Sequence, residues 1–191
     1  MQSRAETEAC LSAPRIAKRR RSFLRARDGS AAVEFSLIAM PFFFLMFAMI
    51  ETAMIYVAQT SLDMAVSDAQ RVLRTGEAQK SGMSQTQMRN LVCNRFQQFM
   101  PANCAASLWV DVDSFPDLGS VSATSPVRNG AVDPAQINYT PGGPESVVLI
   151  RAYYAWTIQT PLFNAMLANY GSNQRLLSST TLMRVEPYPP T

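Results

Sequence analysis

SAAVEFSLIAMPFFFLMFAMIETAMIYVA, residues 30–58, holds only two charges, Glu34 and Glu51, with 16 uncharged residues between them. Coiled as an α-helix at about 1.5 Å per residue, the stretch is about 43 Å long, and the hydrocarbon core of a bilayer is about 30 Å thick. The competing reading is a buried helix at the centre of a large soluble core. A chain of 191 residues leaves too little elsewhere to surround such a helix. The stretch therefore reads as one membrane span, and the rest of the chain is arranged about it.

The residues before the span are basic and those after it are not. Positions 1–29 contain eight Lys/Arg (Arg4, Arg15, Lys18, Arg19, Arg20, Arg21, Arg25, Arg27) against Glu6, Glu8 and Asp28, a net of +5. Positions 30–191 carry nine basic and eleven acidic groups, a net of −2. Alone, the run 18–21 reads as a solvated tail or as a nucleic-acid patch. Beside a span it becomes a topology signal, and the positive-inside rule puts the N-terminus in the cytoplasm and the C-terminal body outside. A removable secretory signal is the alternative, and Arg20-Arg21-Ser22-Phe23-Leu24-Arg25 resembles a twin-arginine export motif. The apolar run is longer than an ordinary signal core, and no Ala-x-Ala pattern occurs between positions 31 and 58, so the segment reads as retained. The chain thus divides into a leader at 1–29, a transmembrane helix at 30–58 and a periplasmic head at 59–191.

Composition removes several function classes. The chain has no histidine, which excludes Ser-His-Asp and Cys-His nucleophiles and every zinc site that uses an imidazole. Three cysteines, Cys10, Cys93 and Cys104, cannot form a four-cysteine zinc site. With 48% hydrophobic and 16% charged residues the sequence is too apolar for a disordered chain. No metal or cofactor is expected.

The edge of the span carries the most informative motif, Asp28-Gly29-Ser30-Ala31-Ala32-Val33-Glu34-Phe35. Glu34 falls five positions after Gly29, inside an otherwise apolar helix. A carboxylate within a span costs roughly 2.5 to 3.5 kcal/mol on insertion scales, so a partner or a function is expected for it. Cleavage after Gly29 would make Ser30 the new N-terminus and place its ammonium at nearly the depth of Glu34, within one helix or between staggered copies. A glutamate close enough to the interface to reach water is the plainer alternative.

Gly29-Ser-Ala-Ala-Val-Glu-Phe-Ser-Leu-Ile-Ala-Met-Pro41 resembles the processing site and helix start of the TadE/TadG-like pseudopilins of tight-adherence (Flp-type) pilus systems. Arg74-Thr75-Gly76, the Cys93 and Cys104 pair, and Arg184-Val185-Glu186-Pro187-Tyr188 extend the resemblance. The last of these is similar to a family ending of Arg-Asn-Glu-Pro-aromatic, from which Val185 departs. The resemblance implies a bacterial inner-membrane protein cut between Gly29 and Ser30 by a membrane-embedded prepilin peptidase. It implies Glu34 and Phe35 in helix assembly, and as partners the bilayer, the peptidase and other pilus components: pseudopilins, the major pilin and the inner-membrane platform. It implies neither an enzyme nor a nucleic-acid-binding protein.

Beyond the span, Leu62, Ala65/Val66, Ala69 and Val72/Leu73 recur at helical spacing, and Gly76 is a plausible stop. Pro41 removes one backbone donor and is expected to kink the span or to be accommodated in it. A second amphipathic helix is expected over 84–100, ending before Pro101. Residues 108–115 alternate as a half-buried strand, 116–146 read as a long loop, and 146–160 are apolar on both faces, as the centre of a sheet is. A short helix at 161–170 and a last strand at 176–185 complete an α+β head with about three antiparallel strands. Asp111, Asp113 and Asp117 invite a calcium reading, but no EF-hand loop surrounds them, and an exposed strand face is expected. Under the expected topology Cys93 and Cys104 lie in an oxidising compartment, where a bond between them would stabilise by roughly 2 to 3 kcal/mol; two free buried thiols are the alternative. Cys10 stays in the leader.

Three functions fit this organisation: a pilus pseudopilin or minor pilin, a single-pass tethered periplasmic binding or sensor domain, and an anchored hydrolase working with Asp and Glu alone. A tether needs neither Gly29 nor Glu34, and a pseudopilin needs both. No carboxylate pair in the head compels catalysis.

Overall fold

The computed structural model describes residues 29–98, 104–122, 124–128, 130–160 and 163–188. The basic leader with Cys10, the end of the second helix at Pro101, and Pro161 with Leu162 lie outside the described residues. The fold is α+β and divides into two compact units, Met1–Phe44 and Leu45–Thr191.

Helix α1, Ser30–Arg74, contributes to both units and is continuous through Pro41. Among the described residues it is the one helix long and apolar enough to cross a membrane, and no residue of its apolar window is buried. In the first unit Val33, Phe35, Leu37, Ile38, Met40 and Phe42 all face outward. An apolar helix segment left unburied in this way suggests a membrane anchor.

The second unit is the head. Its portion of α1 turns one face inward, with Glu51, Ile55, Ala58, Leu62, Ala65, Val66, Ala69, Val72 and Leu73 buried. Head packing thus begins at Glu51, inside the 30–58 stretch. The small side chains Ala58, Ala65 and Ala69 have no exposure at all, so the helix backbone lies close against its neighbours. Helix α1 ends at Arg74 and is followed by a short α2, Glu77–Lys80.

Helix α3, Gln85–Gln97, starts at a capping box: the Ser84 hydroxyl accepts from the Gln87 amide and the Gln87 side chain accepts from the Ser84 amide at 2.7 Å. Its Met88, Val92 and Phe96 are fully buried. A short α4, Cys104–Ser107, leads into β1, Leu108–Phe115.

Strands β1, β4 (Val147–Thr157) and β5 (Gln174–Arg184) form an antiparallel sheet in the order β1-β4-β5. Val110 pairs with Ala152, and Ala152 in turn with Ser179. The central strand is buried on both faces from Val147 to Trp156, as its two-sided apolar pattern requires. One face, with Val148, Ile150, Ala152, Tyr154 and Trp156, joins the helices in the core. The other bears Leu149, Arg151 and Tyr153.

The connection between β1 and β4 holds two short 3-10 turns, Leu118–Ser120 and Pro134–Gln136, and a small hairpin of β2 (Val127–Arg128) with β3 (Ala131–Val132). Tyr139 adds a parallel bridge to Val112 on the outer edge of β1. The short helix expected over 161–170 is present only as α5, Asn164–Leu167.

Candidate processing and assembly site

In the first unit Gly29 directly precedes α1, and Ser30 is its first residue. The Ser30 hydroxyl donates to Glu34 Oε1 at 2.9 Å, one helical turn away. A group at the Ser30 backbone nitrogen would therefore begin at the same turn as the carboxylate. Glu34 and Phe35 are both exposed. A Cβ added at Gly29 would meet no described atom within 4 Å. The described part of the fold does not demand glycine there.

Two further motifs of the resemblance, Arg74-Thr75-Gly76 and Arg184–Tyr188, meet in space. The Glu186 amide donates to the Arg74 carbonyl at 2.9 Å, and the Arg74 guanidinium pairs with the Glu186 carboxylate at 3.1 Å. The ion pair is more than half exposed and contributes little by itself. The backbone bond is the specific part, because it satisfies one of the carbonyls left open at a helix C-terminus. Gly76 adopts φ +73°, and a Cβ on it would lie 2.4 Å from the Tyr188 ring. Only glycine permits both that backbone and that contact. Lys80 Nζ stands over the Tyr188 ring, 5.0 Å from its centroid. Pro187 lies between these partners, exposed, while Val185 is buried and its amide donates to the Ser146 carbonyl. Arg184 reaches back to Glu145, whose carbonyl accepts from Arg184 Nε at 3.0 Å.

Cys93 on α3 and Cys104 on α4 are free thiols in the structure. Cys104 Sγ lies 3.7 Å from the Cys93 carbonyl oxygen, toward which it donates. Burial, reinforced by the neighbouring Cys93 side chain, pushes the Cys104 thiol up to about 12. The pair is thus adjacent, and Cys104 is held protonated while it remains a thiol.

Asp111 and Asp113 do not form the exposed face expected of them. Asp111 has no solvent exposure and Asp113 is only partly exposed. Arg151, directly opposite Asp111 in the strand register, explains the difference. Its Nε donates to Asp111 Oδ2 at 2.7 Å, its Nη2 lies 2.7 Å from Asp113 Oδ2, and its Nη1 donates to the Thr124 carbonyl at 2.5 Å. Asp111 Oδ1 accepts from the Asn138 amide at 2.7 Å. Burial still moves the Asp111 carboxyl above its ordinary value, opposed by the Asn138 amide and the Arg151 charge. This network ties the long connection to the sheet and occupies the carboxylates that a cation would need. Asp117 caps the first 3-10 turn by accepting from the Ser120 amide. No group of acidic or cysteine side chains able to hold a metal occurs among the described residues.

Sequence reasoning gave Glu51 no role beyond the end of the apolar run. In the structure Glu51 is fully buried: Oε1 accepts from the Gln159 amide at 3.1 Å and Oε2 from the Thr160 hydroxyl at 2.9 Å. A charged residue in phase with Ile55, Ala58 and Leu62 on the inward face was the signal for it.

Residues 29–71 match the TadE-like protein family model. The match begins at Gly29 and covers the apolar helix, and the family is the one the motif resembles. No curated protein and no solved structure matches the chain.

Proposed function

We propose that this chain is a pseudopilin or minor pilin of a tight-adherence pilus, anchored by the exposed apolar part of α1 in the inner membrane, with its head periplasmic. In this reading a prepilin peptidase cuts between Gly29 and Ser30, and the new Ser30 ammonium is neutralised by Glu34 of the same or a neighbouring chain. The observation that carries the reading is the motif at the helix start: a glycine that no described atom crowds, a serine beginning α1, and a glutamate one turn on within bonding reach. All three lie in the TadE-like match. The basic leader supports the orientation.

Glu34→Gln tests the assembly role because it keeps the shape and removes the charge. A neutral side chain inserts more easily, so membrane integration and cleavage should survive. An unpaired ammonium in a medium that solvates it poorly should reduce crosslinking to other pilus components and the number of pili per cell. Wild-type and variant cells at matched protein levels are compared. Unchanged assembly would make Glu34 an interfacial carboxylate and favour the tethered-domain function.

A further inference from the structure

Strand register gives the head two chemically different ends. Thr157 at the close of β4 stands opposite Gln174 at the start of β5, and Leu108 at the start of β1 stands opposite Tyr154. These strand ends share the side of the head that meets Glu51 of α1 through Gln159 and Thr160. At the far side lie the Arg74–Glu186 and Arg184–Glu145 pairs.

The Glu51 side is depleted of charge. Residues 152–174, which include the whole connection from β4 to β5, contain no Asp, Glu, Lys or Arg. Among the described residues of this connection Ile158 and Phe163 are buried, but others lie open. Met166 is 77% exposed, and Trp109 and Tyr170 are partly buried, with ring centroids 6.2 Å apart. On α1 just before Glu51, within the same compact unit, Leu45, Met49 and Ile50 are exposed as well. Apolar helix surface and uncharged loop surface therefore adjoin, with a Trp-Tyr pair at the margin. Aromatic residues with a polar edge concentrate at headgroup depth. Arg175, half-buried with its Nη1 on the Leu167 carbonyl at 3.2 Å, borders the surface and suits anionic headgroups.

Building on the membrane-anchored reading above, we propose that this end of the head rests on the bilayer that α1 enters, with Met166, Trp109 and Tyr170 in the headgroup region. The occupant is lipid, because the surface continues an exposed apolar helix and carries no charge across the connection itself. Glu51 then acts as the pin that holds the lipid-facing connection to the helix at the exit point. The head has a second attachment beside its anchor, which fixes its tilt over the membrane.

The test reconstitutes the full chain carrying Trp156→Phe, which leaves Trp109 as the single tryptophan, into phosphatidylcholine/phosphatidylglycerol vesicles with lipids brominated near the headgroup. Trp109 emission should be lost to bromine. A tryptophan placed at Leu118, exposed beyond the far end of β1, should keep its emission when Trp109 and Trp156 are both phenylalanine. Carbonate extraction of the same vesicles separates the two claims: release of the protein would remove the anchored reading itself. Resistance to carbonate with undiminished Trp109 emission would overturn the lipid surface and leave the anchor standing; so would shielding of Trp109 that depends on protein concentration, which would assign the surface to another subunit. If Trp156→Phe does not fold, wild-type chain in vesicles doped with a diazirine lipid is photolabelled instead. Label at Met166 and none at Leu118 supports the proposal, and the reverse contradicts it.

Discussion

Asp111 has no contact with water, and the Arg151 guanidinium opposite it has nearly none. Removing one member of such a pair leaves the other buried and uncompensated, which typically costs about 3 to 5 kcal/mol. Asp111→Ala should therefore strongly lower the denaturant midpoint of the head, whereas Asp117→Ala, which removes only a turn cap, should cost about 0.5 to 2 kcal/mol. Equal losses in urea unfolding would contradict the network. This arrangement was hidden in the sequence for a plain reason. Asp111 sits in an alternating strand, where local pattern assigns it to a solvated face, and its cover comes from Thr124 and Asn138 in a connection with little pattern of its own. Arg151, a lone cation in a strand apolar on both sides, was the available clue. Gly29 shows the converse: no described atom would crowd a Cβ there, so the expectation attached to it comes from the motif alone.

Among the elements, the long helix and the central strand were legible because burial imposes a period on them. The inward face of α1 repeats every three to four residues from Ile55 to Leu73, and β4 is apolar on both faces because both are covered. The hairpin of β2 and β3 was missed although Asn129-Gly130 is a turn signal, since strands of two residues leave no periodicity to find. How α1 ends was only half legible. Gly76 marked the stop, but Tyr188, which requires glycine there, is more than a hundred positions away. Gly76→Ala should destabilise the head by about 1 to 3 kcal/mol through its positive φ and the ring contact. In a Tyr188→Ala background the loss should shrink to the backbone part. The same loss in both backgrounds, measured by thermal unfolding, would exclude the ring contact.

The α3 and α4 elements carry a titration that can be followed. In reduced protein the folded-state Cys104 thiol is raised from 9.0 to about 12, so it keeps its proton where an unfolded thiol has lost it. Stability from this group is complete below about pH 9 and falls as pH rises toward about 12. Under reducing conditions Cys104 of the folded head should resist iodoacetamide at about pH 9 and react on unfolding. Ready alkylation of the folded protein would contradict the burial. Without reductant, protein from an oxidising compartment should offer neither thiol if the adjacent pair has closed into a disulfide.

For the whole molecule, charge distinguishes the parts: a basic stretch at 1–29, an apolar helix segment and a head with the Arg74–Glu186 and Arg184–Glu145 pairs at the end away from Glu51. The long apolar helix was legible because apolar length is written locally. The side of the head that meets Glu51 was not, because it is assembled from strand ends far apart in sequence. The central claim is that the chain matures by loss of the leader and begins at Ser30. Intact-mass measurement of the protein from its native membrane, in a host that carries the prepilin peptidase, tests it most directly. The account predicts the mass of residues 30–191; protein that retains residues 1–29 would contradict it.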